Sequence, residues 1–69
     1  MSIPNIRIGQ LQSGKTKKTY QVYWNPETKK VFVSKPAGLF GSASQTDTRG
    51  ITGSAEMAMH AAEGYLYDK

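Results

Sequence analysis

Apolar residues recur at every second position in three short stretches of the first half of the chain, and at spacings of three and four near its end. From Ile3 to Leu11, Ile6 and Ile8 point one way and Arg7 the other, with Pro4 at the start, where a missing N–H does least harm. Gln12, Ser13, Gly14 and Lys15 read as a turn in which Gly14 is free to take a positive φ. Lys17 to Trp24 resumes the alternation, Tyr20, Val22 and Trp24 on one face against Gln21 and Tyr23 on the other, and is the strongest strand signal in the chain. Asn25 to Lys29 reverses direction, because Asn25 can bond back to the backbone and Pro26 is pre-set for the second position of a type I turn. Lys30 to Lys35 is a third strand, ended by Pro36.

A four-residue loop, Pro26 to Lys29, fixes the pairing of the second and third strands. Trp24 then faces Val31, Tyr23 faces Phe32, Val22 faces Val33 and Gln21 faces Ser34. One face gathers Tyr20, Val22, Trp24, Val31 and Val33, which Ile6 and Ile8 can join. The other gathers Arg7, Lys17, Thr19, Gln21, Tyr23, Lys30, Phe32 and Ser34. A slip of one residue would set Lys30 beside Trp24 and scatter apolar side chains over both faces.

Residues 36–52, PAGLFGSASQTDTRGIT, are rich in Gly, Ser and Thr without a sustained period, and read as a long loop pinned to the edge of the core by Leu39 and Phe40. Residues 53–67 read as a helix. From Ser54 to Leu66, Ala55, Ala58, Met59, Ala62, Tyr65 and Leu66 share one face, Thr52, Gly53 and Ser54 are candidate N-caps, and Glu56 meets the positive end of the helix dipole. The expected fold is α+β: a single domain holding a three-stranded antiparallel β-meander, residues 1–35, with one C-terminal helix packed on its apolar face.

Composition narrows the function. At 69 residues the chain is near the lower size limit for a core without staples, and with no cysteine it has neither disulfides nor a thiolate metal site. No apolar run reaches the roughly 20 residues that span a bilayer, and MSIPNIRIGQ lacks the features of a signal peptide, so the chain reads as complete, cytoplasmic and independent of membranes. The net charge of +4 is unevenly spread. Arg7, Lys15, Lys17, Lys18, Lys29, Lys30 and Lys35 against Glu27 leave residues 1–35 at +6, whereas residues 36–69 carry −2. Such asymmetry points to an anionic partner, nucleic acid, an acidic protein surface or an anionic membrane, of which the first two are carried forward; the plainer reading is that lysines solubilise the domain and guard its sheet edges.

Little in the chain suggests catalysis. His60, the one histidine, falls off the apolar stripe of the helix, and Glu27, Asp47, Glu56, Glu63 and Asp68 are too scattered to form a carboxylate pair, so no enzyme, metal or cofactor is expected. RGITGSAE sets Arg49 and two glycines ahead of a helix, where free N–H groups can meet an anion; loop and capping chemistry explains the same residues. The outward face is richer. Tyr23 and Phe32 would be cross-strand neighbours there, with Arg7, Lys17 and Lys30 beside them and Lys15, Lys18 and Lys29 in the adjoining turns, so that rings stack bases while cations meet phosphates. The meander-then-helix order is similar to that of small DNA-binding domains in some integrases and plant transcription factors, a likeness of topology from which no residue role is carried over. The expectation is a non-catalytic nucleic-acid-binding protein, DNA or RNA, monomeric or homodimeric. Its rival is a protein-binding inhibitor or adaptor of the phage or mobile-element type.

Overall fold

In a computed structural model that describes residues 3–35 and 45–69, the alternating segments assemble into one antiparallel sheet. Its strands are β1 (Ile6–Gln12), β2 (Thr19–Trp24), β3 (Lys30–Ser34) and β4 (Gln45–Ile51), in the spatial order β1-β2-β3-β4, followed by helix α1 (Ala55–Leu66). The domain is α+β with a C-terminal helix, but the meander has four strands rather than three. β4 lies within the segment expected to be loop. QTDTRGI carries one aliphatic residue, Ile51, and that side chain stands 71% exposed, so there is no apolar alternation to read; the strand is held by backbone pairing to β3. The expected pinning by Leu39 and Phe40 lies outside the described residues.

β2 and β3 pair in the expected register, Trp24 opposite Val31, Tyr23 opposite Phe32, Val22 opposite Val33 and Gln21 opposite Ser34. The turn explains why. Asn25 donates its N–H to the Lys30 carbonyl (3.0 Å), its carbonyl accepts from Lys29 (2.7 Å), and its side-chain oxygen accepts from Glu27 and Thr28 (2.8 and 3.0 Å). Lys29, left-handed at φ 65°, returns the chain to β3. The Asn25 amide also donates to Ile3 O and Asn5 Oδ1, so a side chain that is 93% buried leaves no polar atom unpaired.

β1 departs from simple alternation. It begins at Ile6 rather than Ile3 and bulges between Arg7 and Gly9, so Ile8 packs on the core while Gly9 takes the inward position opposite Val22. A Cβ on Gly9 would stand 3.0 Å from the Met59 methyl, so glycine here lets α1 lie close to the sheet. The shift turns Leu11 inward, opposite Tyr20. Ile6, opposite Trp24, is 46% exposed and does not join the core as expected.

The helix spans 55–66 rather than 53–67, with Ser54 as its N-cap: the hydroxyl accepts the Met57 N–H at 3.3 Å. Ala58, Ala62 and Leu66 are buried against Val22, Val31 and Val33, and Met59, Ala61 and Tyr65 flank them. Burying each of the large aliphatic side chains contributes about 1.5–3 kcal/mol. Trp24 packs at the margin of this cluster and donates its indole N–H to Thr52 O at 3.2 Å.

The β1–β2 turn closes the far end of α1. Gly14 N donates to Leu66 O at 2.9 Å, which also accepts from Lys69 N at 3.1 Å, and Lys15 N and Thr16 N donate to Lys69 O at 3.1 and 3.0 Å, so the turn is tied to the helix end and the residues after it. Ser13, 1% exposed, braces the turn by accepting from Lys18 N and bonding to Thr16 Oγ1. The residue with positive φ is Lys17 (58°), not Gly14 as expected; Gly14 is required because a Cβ would overlap the Tyr67 carbonyl. Gly14→Ala is therefore expected to lower unfolding free energy by about 1–3 kcal/mol in urea melts. Gly64→Ala, in open space on the same helix, should raise it by about 0.5–1 kcal/mol.

Candidate functional site

The helix covers one face of the sheet, and the register writes the other face out in rows. Arg7 of β1, Tyr23 of β2, Phe32 of β3 and Asp47 of β4 are successive cross-strand partners, so a cation, two rings and a carboxylate lie in one line across the sheet. The next row is uncharged: Gln10, Gln21, Ser34 and Gln45. Tyr23 and Phe32 are half-buried, while Arg7 and Asp47 are exposed. Arg7 Nε donates to Gln21 Oε1, and Gln21 Nε2 donates to Gln10 Oε1 at 3.4 Å, which links the two rows.

The edges of this face are drawn together. Asn5 Nδ2, just ahead of β1, donates to Gln45 Oε1, the first residue of β4, at 2.6 Å. Four flat strands would hold their outer members about 14 Å apart, beyond the reach of two amide side chains. Asn5 stands ahead of β1 and is also held by the Asn25 amide, so the segment entering β1 reaches the start of β4 from the side of the ring row.

The basic residues expected to serve this surface divide into groups. Arg7 shares the ring row, and Lys30, two positions from Phe32 along β3, lies on the same face opposite Ile51. Lys15, Lys17 and Lys18 sit in the β1–β2 turn near the end of α1. Lys17 precedes β2 and is left-handed, so strand alternation does not set it on the ring face as expected; that end of β2 is about 13 Å from Tyr23. Lys29 extends its ammonium over the Trp24 indole, 5.4 Å from the ring centre, which draws it toward the helix side. Arg49 occupies the irregularity between β3 and β4 at φ 66°, its N–H donating to Asp47 Oδ1 at 2.7 Å, so it belongs to a strand rather than to the loop before α1.

Asp47, Gln10 and Gln45 were not legible as parts of this face. Asp47 and Gln45 join it only because β4 forms, and Gln10 only because the bulge at Ile8 resets the alternation of β1.

Charge divides between the elements rather than between the two faces of the sheet. The strands and their connections carry Arg7, Lys15, Lys17, Lys18, Lys29, Lys30, Lys35 and Arg49 against Glu27 and Asp47, whereas α1 carries Glu56 and Glu63 and neither Lys nor Arg. His60 is exposed on that helix. Among the described residues, no group of three or more His, Asp or Glu side chains could hold a metal ion, and no helix is long and apolar enough to cross a membrane. On the helix side, a cleft of about 430 Å³ is walled by Tyr20, Val33, Thr46 and Tyr65 with Lys35 and Lys69 at its rim, hydroxyls and ammonium groups rather than paired carboxylates.

No family model, no curated protein and no solved structure matches the chain. The geometry of the helix-free face therefore carries the functional reading by itself. If Arg49 is held in its left-handed conformation by the irregular pairing of β4, Arg49→Gly should stabilise the fold by about 0.5–1 kcal/mol in urea melts, and Arg49→Lys should leave stability unchanged.

Proposed function

We propose that the chain is a small non-catalytic binding module whose helix-free sheet face takes nucleic acid. The observation that carries this reading is the opposed pair Tyr23 and Phe32 in the two central strands, with Arg7 in the same row and Lys30 next along β3. Rings in a helix-free sheet face offer π surface to bases, and flanking cations meet phosphates without regard to sequence. Arg7 and Lys30 on this face, with Glu56 and Glu63 on the helix, support an orientation in which the sheet turns toward the polyanion. Lys15, Lys17 and Lys18 would extend the positive field beyond the ring face, whereas Lys29, engaged with Trp24, would add less than its sequence position suggests.

Asp47 supports a second reading. A carboxylate at the end of the ring row repels phosphate and gives the face a mixed character that suits a protein surface, either an acidic partner or a second copy of the chain. The two readings make opposite predictions for this residue. On the nucleic-acid reading, Asp47→Asn tightens oligonucleotide binding by about 0.5 kcal/mol, and affinity falls as salt rises, with a slope in log K of about −0.7 to −0.9 per phosphate neutralised. Tyr23→Ala weakens binding by about 1–3 kcal/mol. Recovery of a specific protein from nuclease-treated lysate through a high-salt wash, with oligonucleotide affinity indifferent to Tyr23 and Asp47, would transfer the face to the protein-binding reading.

A further inference from the structure

Resting on that reading, we infer that the ligand of the helix-free face is an unpaired single strand, DNA or RNA, rather than a duplex. The width of the sheet is the first reason. Four strands at about 4.8 Å spacing span about 14 Å from axis to axis before any side chain is added, and the major groove of B-DNA, about 12 Å wide, admits a helix or a two-stranded ribbon. β4 takes the sheet past that limit. The second reason is the lie of the rings. An element that reads a groove must project into it, and here Tyr23 and Phe32 are half-buried on the two central strands, with the Asn5–Gln45 hydrogen bond joining the two sides of the sheet.

The helix offers no substitute. From Ala55 to Leu66 it has no cation, and Glu56 and Glu63 lie on its exposed surface, where they would be repelled by the phosphates bordering a groove.

What this face can accept is a base turned out of its strand. In a duplex both faces of each base are occupied by stacking, so half-buried rings on a sheet reach them only when the nucleotide is unpaired. The row beside the rings suits this purpose. Gln10, Gln21 and Gln45 present amides that donate and accept, so they can meet base edges that pairing would otherwise occupy. The clasp between Asn5 and Gln45 is exposed, and a net hydrogen bond of this kind contributes little, so an incoming base edge can replace it. The footprint of the ring and amide rows suits about four nucleotides, the low end of the range for single-strand sites.

The test is a fluorescence anisotropy titration at low salt with one labelled mixed-sequence oligonucleotide, presented as a single strand and as the duplex with its complement. The single strand is expected to bind at least about tenfold more tightly. Tyr23→Ala should reduce single-strand affinity by about 5- to 150-fold and leave duplex affinity unchanged. Tyr23→Leu, which keeps apolar bulk on β2 without an aromatic face, should show most of the same loss while its thermal midpoint and circular dichroism stay those of the parent chain. Equal or tighter duplex binding would overturn the inference and leave the nucleic-acid reading standing. Absence of binding to either form would overturn that reading, and the inference with it.

Discussion

The connection between β2 and β3, residues 25–29, is the constraint on which the other features depend. Asn25 holds its shape from both sides, closing the chain with its backbone and occupying its own side-chain oxygen with two turn N–H groups. Because strand side chains alternate with a period of two, this one turn decides the environment of every residue in both strands. Three valines go beneath the helix, and Tyr23 and Phe32 go to the other face. A connection one residue longer or shorter would turn one strand over relative to the other and mix the two sets, leaving neither a core nor a ring pair.

The helix then seats because the surfaces that meet are small. Gly9 and the buried alanines of α1 bring the backbones close, and Met59 and Leu66 fill the remaining space. Both ends of the helix are tied to connections rather than to strands: the Ser54 hydroxyl serves the N-terminal turn, and Gly14, Lys15 and Thr16 donate to carbonyls at and beyond the C-terminus. Such ties matter in a domain of this size, which buries only about 60% of the surface its unfolded chain exposes. A lost cap or a displaced turn is a large fraction of the total stability.

The ring face expresses the same economy. One helix covers one side of the sheet, and among the described residues the rings on the other side are flanked by their cross-strand neighbours. The half-burial of Tyr23 and Phe32 reflects this balance: they contribute to cross-strand stability and still offer π surface. Asp47 at the end of the row limits how positive the face can be, and the amides beside it give the surface polar specificity without further charge.

The chain's own pattern decided the features that depend on local periodicity. Tyr20, Val22 and Trp24 alternate strongly enough to define a strand and its faces, NPETK specifies a reversal, and the three-and-four spacing from Ala55 to Leu66 marks a helix with its buried stripe. These were legible because each is set by neighbours within a few residues. Three features were decided by tertiary structure. β4 exists because β3 offers an unsatisfied edge of backbone donors and acceptors, a cause that leaves no mark in the side chains of QTDTRGI. The requirement at Gly14 arises from a carbonyl at Tyr67, at the other end of the chain. Asn5 meets Gln45, and Asp47 joins the ring row, because β4 pairs with β3. Contacts between residues so far apart in the chain carry no local period, so only the folded arrangement could bring them into view.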